Sequence, residues 1–313
     1  MQSAKLSQPK SYASRAQRAA GKAALIVLFL APAMLLFVVF VMFPVFQAAY
    51  YSLFRWNGLG PLTNFVGLQN YITIFNDRVF RVALGNNLFI MALSLLVQLP
   101  FSLVLALMVG RKLRGRTVFR LIFFLPYVLS EVVTGLIWSF IYQPSFGLLN
   151  TFIKAIYPVF EGTVWLGIGT VMPAMFAVIT WKYFGFHLML FVAGLQEIPH
   201  EVEEAALIDG ANNLQSIRYV TLPMLGSTIR LSIFLSVLGS LQFFDLIWVM
   251  TLGGPINASE TMATYLVKFG FQRFQLGSGS AAAVILFLMC LMFSLFYQRF
   301  FMRRDTAGSV TGR

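Results

Sequence analysis

Residues 201–225 read EVEEAALIDGANNLQSIRYVTLPML, with Glu201, Glu203 and Glu204 crowded ahead of Ala205, Ala206 and Gly210. Carboxylates are stabilised in the first turn of a helix by its macrodipole. Pro199 suits that turn, and Gly210 supplies a stop. A second short helix fits residues 212–219, and Pro223 leads into the next apolar run. Ala206 and Gly210 are four apart, so they share a helical face. A face without bulk lets another protein's backbone come close, and flanking carboxylates can orient it. A plain surface loop returning the chain to its next apolar run fits the same spacing.

The other chemistry-bearing residues are ionisable groups inside apolar runs, where each costs roughly 2.5–3.5 kcal/mol on insertion scales. Glu131 and His187 come out near mid-depth, Glu131 about 16 Å from its nearest charged boundary at the 1.5 Å helical rise. Lys182 and Asp245 lie about 22–26 Å deep on the two runs joined by the acidic segment, and their matched depth predicts an ion pair. Two roles are open to such groups: mutual neutralisation, or lining a polar path that hydrogen-bonds hydroxyls. Tyr183, Ser236, Ser240, Gln242 and Phe243 are further path candidates. Small polar residues on membrane helices also serve packing. Trp138, Trp181 and Trp248 fall at one level, about 27 Å from that boundary, where an interfacial aromatic belt is expected. Catalytic and metal chemistry find no support. His187 and His200 are the only histidines, Cys290 is the only cysteine, and none stands at ligand spacing. No G-x-x-x-x-G-K-[ST] phosphate loop occurs; Gly21-Lys22 is an isolated pair.

Composition explains why these polar residues stand out. The 313-residue chain is 58% hydrophobic and 11% charged, with 33 Phe and a mean hydropathy of +0.78. That is outside the range of soluble globular domains. No charge occurs from residue 82 to 110 or from 274 to 298, and about 20 apolar residues suffice to span a bilayer. Six spans are expected, at 23–46, 84–109, 121–142, 171–196, 230–250 and 279–300. The runs are continuous rather than alternating, which excludes a transmembrane barrel. The first run is too long for a signal peptide and no small-x-small cleavage site follows it, so a retained anchor is expected.

The net charge of +12 follows topology rather than nucleic acid. With the N-terminus in the cytosol, sixteen of the 23 Lys and Arg residues fall inside, among them Lys5, Lys10, Arg111, Lys112, Arg114, Arg218 and Arg303. Six fall outside: Arg55, Arg78, Arg81, Lys154, Lys268 and Arg273. That asymmetry predicts both termini in the cytosol. The expected organisation is a polar tail (1–22), a transmembrane domain (23–304) and a short tail (305–313). External segments near 68–80 and 251–277 read as interfacial helices, the second opening on a Gly-Gly-Pro turn.

The acidic segment resembles a family signature. Glu204, Ala205, Ala206 and Gly210, then nine residues, then Val220, Thr221, Leu222 and Pro223 follow the pattern E-A-A-x-x-x-G-x(9)-I-x-L-P, with Val in place of Ile. This is similar to the permease subunits of binding-protein-dependent ATP-binding-cassette importers. Residues 123–150, 244–255 and 67–75 look like the carbohydrate branch of that family. The resemblance implies an all-α membrane protein of six transmembrane helices with a cytosolic coupling helix, in a bacterial inner membrane. It implies that Glu203, Glu204, Ala205, Ala206, Asp209, Gly210, Ala211, Leu222 and Pro223 dock on an ATPase subunit. It also implies a second permease subunit, two ATPase subunits carrying ATP and Mg, and an external solute-binding protein. No cofactor is then expected on this chain and no catalysis by it. The cargo implied is a carbohydrate, oligosaccharides included. A glycerol-phosphate ester in the same machine, or an autonomous secondary transporter, are the alternative readings; the latter calls for inverted repeats with broken helices.

Overall fold

The computed structural model describes residues 15–109 and 115–302. Residues 1–14 of the expected N-terminal tail, the C-terminal tail 305–313 and the basic cluster Arg111, Lys112 and Arg114 lie outside the described residues. Residues 15–22, expected in the tail, already belong to a helix (Arg15–Phe37). The chain divides into two units, residues 1–50 and 51–313. Among its described residues the first unit is a single helix, α1 (Arg15–Phe37, continued through Val38–Met42 and Phe43–Tyr51, the last residue lying in the second unit), whose most apolar 18-residue window has no buried residue.

Among the described residues of the second unit the regular elements are all helices, apart from one isolated bridge between Phe54 and Phe65. Its elements are α2 (Gln69–Asn76), α3 (Arg78–Val109), α4 (Arg116–Val128), α5 (Glu131–Ile141), α6 (Leu148–Ile156) and α7 (Val171–Gln196). Then follow α8 (His200–Ile208), α9 (Asn213–Met224), α10 (Gly226–Leu241), α11 (Asp245–Thr251), α12 (Met262–Tyr265) and α13 (Leu276–Met302). Among the described residues four helices are long and apolar enough to cross a membrane, and counting each of two bent pairs as one crossing gives up to six.

Two of the continuous spans expected from hydropathy are broken, one at the α4–α5 pair and one at the end of α10; the other bent pair, α9 and α10, turns by 66° at Leu225, before the expected span 230–250 begins. The expected span 121–142 breaks at Leu129 and Ser130, where α4 and α5 diverge by 94°. Ser130 is extended and its hydroxyl accepts from the Val133 N–H at 3.3 Å, with Glu131 in the first turn beyond it. A Ser cap followed by an acid is a helix-start signal, and here it lies hidden inside an apolar run. The expected span 230–250 ends early as well. Helix α10 stops at Leu241, and Asp245 starts the separate α11.

Helix α7 is the central beam, with 61% of its most apolar window buried against 28% for α3 and 17% for α13. Toward its N-terminal end, Val171, Met175 and Val178 share a cluster with Ile90, Leu246 and Ile247. Toward its C-terminal end, Leu188, Phe191, Leu195 and Ile198 pack with Ala106 and Leu225. A third cluster joins Ile74, Phe80, Tyr265, Phe269 and Ala281. Tyr265 and Phe269 therefore face inward, whereas residues 251–277 had been expected to lie at an interface; Phe271 and Phe274 stay exposed. Burial and the Asp77 carboxylate push the Tyr265 hydroxyl well above the ordinary tyrosine range, so it remains the donor of its 2.7 Å bond to Asp77. Asp77 also caps α3 through the Val79 N–H. The Trp138 indole packs edge-on against Trp181, and its buried N–H has no partner among the described residues. Trp138 thus does not turn its polar edge to an interface, as a belt tryptophan would.

At Gly185 α4 lies close against α7: a Cβ there would come within 2.0 Å of the Phe123 carbonyl oxygen. Gly239 has nothing within 4 Å of the same construction. Gly185→Ala is expected to lower stability by about 1–3 kcal/mol through overpacking, while Gly239→Ala leaves it unchanged. Thermal unfolding of the detergent-solubilised protein checks this; equal midpoints for the two variants would refute the close α4–α7 crossing.

Candidate functional site

Two features are candidates, and α7 links them. The first is a cavity of about 260 Å³ where α3, α4, α7 and α10 face one another. Ser94 and Gln98 reach it from a wide π-helical turn in α3, Tyr127 from α4, Tyr183 and His187 from α7, and Ser236 and Ser240 from α10. Phe186 and Phe243 complete an aromatic wall, with Tyr127 stacked on Phe186 at 5.0 Å and Tyr183 edge-on to Phe243 at 6.2 Å. His187 is 5% exposed and its Nδ1 has no partner among the described residues. The cavity combines hydroxyls, an amide, an imidazole and aromatic rings, which suits a neutral polyhydroxylated solute.

Of the path candidates, Tyr183, His187, Ser236, Ser240 and Phe243 line this cavity. Ser240 turns its hydroxyl to the Ser236 carbonyl at 2.8 Å. Gln242 does not line it; its amide reaches Cys290 Sγ on α13 at 3.6 Å. The expected Lys182–Asp245 ion pair is absent. Lys182, 1% exposed, donates to the Leu129 carbonyl and lies 3.5 Å from Glu131. Tyr183 donates to the same Glu131 oxygen at 2.7 Å. Asp245 is exposed at the start of α11. Equal depth did not pair Lys182 with Asp245, because the break at Leu129 brought a carbonyl and a carboxylate nearer.

Sequence reasoning passed over the polar face of α3. Asn87, Ser94, Gln98 and Ser102 are all buried. Their spacing of seven, four and four was the available signal, since it places them on one helical face. Asn87 donates to the Ser240 and Leu241 carbonyls at 2.7 and 3.1 Å and accepts from the Met262 N–H at 2.8 Å. It caps the end of α10 from the side.

The second feature is the acidic hairpin α8–α9. Gly210 has φ +90°, and two bonds close a Schellman turn around it. The Gly210 N–H reaches the Leu207 carbonyl at 3.1 Å and the Ala211 N–H reaches Ala206 at 3.0 Å. Asn212 and Gln215 then form a capping box for α9. Glu203 turns inward, and the buried Thr221 hydroxyl donates to it at 3.4 Å. Glu204, Ala205, Asp209, Gly210 and Pro223 are exposed, while Ala206, Ala211 and Leu222 are half-buried. Ile208 and Leu214 stand out at 86% and 74% exposure. The hairpin is anchored at both ends, by Ile198 and Leu225, in the cluster that holds α7.

Replacing Asn87 with Ala should cost about 1–3 kcal/mol for each backbone group it strands. Lys182→Met should cost about 3–5 kcal/mol by leaving Glu131 uncompensated, and adding Glu131→Gln should recover much of that loss. A double-mutant thermal-unfolding cycle reads both, and strictly additive effects of Lys182→Met and Glu131→Gln would rule out the pair.

Residues 98–305 match the family model described as binding-protein-dependent transport system inner membrane component. The chain is 36% identical over 277 residues to the probable ABC transporter permease protein YurN of Bacillus subtilis, covering 88% of this chain and 94% of that one. It is 33% identical to the diacetylchitobiose uptake system permease protein NgcF of Streptomyces coelicolor, covering 90% of this chain and 82% of that one. A crystal structure of a bacterial ABC transporter involved in the import of the acidic polysaccharide alginate contains a chain with the same fold. The TM-score is 0.81 at 23% identity, covering 93% of this chain and 99% of that one. With its crossings, its hairpin motif and these similarities together, the chain belongs to the binding-protein-dependent transport system inner membrane components, the permeases of ABC importers.

Proposed function

We propose that this multi-pass inner-membrane protein is one of two permease subunits of an ATP-driven importer. Its cargo is a carbohydrate, delivered by an extracytoplasmic binding protein. Both termini and the hairpin α8–α9 face the cytosol, in line with the Lys and Arg asymmetry. ATP and Mg belong to separate ATPase subunits. The observation that carries this reading is the hairpin itself: exposed Ile208 and Leu214 beside Glu204 and Asp209 offer an apolar knob with an acidic rim. The knob is fixed by Gly210 and rooted in the cluster of α7.

A push on the hairpin is passed to Ile198 and Leu225 and along α7, which carries Lys182, Tyr183 and His187 past the cavity. Alternating access follows when such a push favours one of two packings of the bundle. The chemistry of the cavity favours sugar hydroxyls over a phosphate ester. Lys182, the one buried lysine among the described residues, is directed to Leu129 and Glu131 and does not line the cavity.

Gly210→Val and Gly210→Asn test the coupling. A Cβ at Gly210 meets nothing within 4 Å among the described residues, so the local demand is for φ alone. Asn tolerates left-handed backbone and should keep uptake, whereas Val is strained there by about 1–2 kcal/mol. Gly210→Val should cut sugar uptake at least about tenfold while ATP hydrolysis by the assembled transporter continues; normal uptake by it would overturn the coupling role. His187→Leu, in the cavity, should reduce uptake of the same sugar without changing assembly, measured by transport in proteoliposomes and by co-purification.

A further inference from the structure

A second concave site lies at the opposite end of the unit from the hairpin. It is a groove of about 650 Å³ between residues 55–73 and the start of α13, within the roughly 300–1,000 Å³ range of small-molecule sites. Its floor is rigid. The Asn70 amide, 6% exposed, donates to the Ser52 and Phe54 carbonyls at 2.7 and 2.8 Å, and its oxygen accepts from the Ser278 hydroxyl at 3.3 Å. The Gly277 N–H holds the Trp56 carbonyl at 2.9 Å.

The rim is different. The side chains of Arg55, Asn64, Gln69 and Gln275 make no hydrogen bond among the described residues, and no carboxylate lines the groove. Phe274 stands over it in a conformation that a phenylalanine rarely adopts. Its φ is +53°, just past the end of the π-helical segment Leu266–Gln272 that continues α12, a position where glycine or asparagine is usual. The Phe274 N–H bonds the Phe271 carbonyl at 3.2 Å, and the Gln275 N–H bonds Gly270 at 2.9 Å, which completes the turn. The ring is 60% exposed. Backbone strain kept at an exposed aromatic in a polar groove points to function, because a glycine would make the same turn without strain.

We propose that this groove is an outer saccharide-binding subsite, in which a sugar ring stacks on Phe274 and its hydroxyls are held by the amides of Asn64, Gln69 and Gln275. Planar amides can give and take hydrogen bonds with neighbouring hydroxyls, and an aromatic face covers the apolar face of the ring. Arg55 adds a cation without a fixed partner, so a carboxylated sugar binds more tightly than its neutral counterpart. The inference goes beyond the cargo reading, since the groove and the central cavity share no residue.

The test uses the full chain, with the subunits that co-purify, in lipid nanodiscs. The central cavity is filled by Gly239→Leu, or by Ser236→Leu if the first variant does not fold. Saturation-transfer NMR is recorded with neutral disaccharides of glucose, galactose, mannose and N-acetylglucosamine, and with their uronic-acid forms. Expected is binding in the roughly millimolar range, weakened at least about tenfold by Phe274→Gly, whose thermal midpoint is equal or higher because the strained φ is relieved. Absence of signal from every disaccharide overturns the proposal. So does a signal that survives Phe274→Gly combined with Asn64→Ala. A non-sugar cargo would appear instead as failed uptake, with the groove signal intact.

Discussion

A backbone carbonyl released by a helix break inside hydrocarbon has no water to bond, and leaving it bare costs several kcal/mol. Two of the continuous apolar runs are interrupted, between α4 and α5 and at the end of α10, and at each interruption a buried polar side chain from a neighbouring helix takes up a freed carbonyl. Lys182 on α7 takes the Leu129 carbonyl between α4 and α5. Asn87 on α3 takes the Ser240 and Leu241 carbonyls where α10 stops. Between those breaks, with the π-helical turn of α3 opposite, the helices part enough to leave a polar cavity. Breaks, caps and cavity are one construction: straight helices would have packed there as they do around Val178 and Leu188.

The same construction explains how an event at the hairpin is felt in the middle of the bundle. Helix α7 has 26 residues and is about 39 Å long at the standard rise. Its C-terminal end shares a cluster with the hairpin's two anchors, and its middle supplies Tyr183 and His187 to the cavity. Lys182 fastens that middle to the most sharply bent part of the fold. A tilt of α7 therefore disturbs the α4–α5 break as well as the cavity wall. Close-packed interfaces such as Gly185 against Phe123 resist gradual deformation and favour discrete alternatives.

Much of this was legible in residue order. Hydropathy gave the number of crossings, and Glu204 through Gly210 gave the hairpin with its left-handed stop, because a Schellman turn asks for glycine whatever surrounds it. The breaks were harder to see. A Ser-Glu start signal at residues 130–131 is unmistakable in a soluble helix, but within an apolar run it reads as two polar interruptions of one span. The capping role of Asn87 depends on where α10 ends, which is set across 153 residues of sequence. Periodicity could place Asn87, Ser94, Gln98 and Ser102 on one face without saying what that face meets.

The Lys182 pairing shows where reasoning from depth stops. Two charges at the same level on adjacent helices attract at long range, yet a lysine deep in a membrane protein is held by whichever acceptors touch it, since desolvation penalises every unmet donor. Glu131 gained that position only because α5 begins with it, and α5 begins there only because Ser130 caps a new helix. Asp245 followed the same local rule and became the first residue of α11, exposed rather than paired. Helix-start chemistry therefore placed both carboxylates, and the electrostatics followed. It left the cavity without a fixed cation, which makes its character that of a hydroxyl-binding site rather than an anion-binding one.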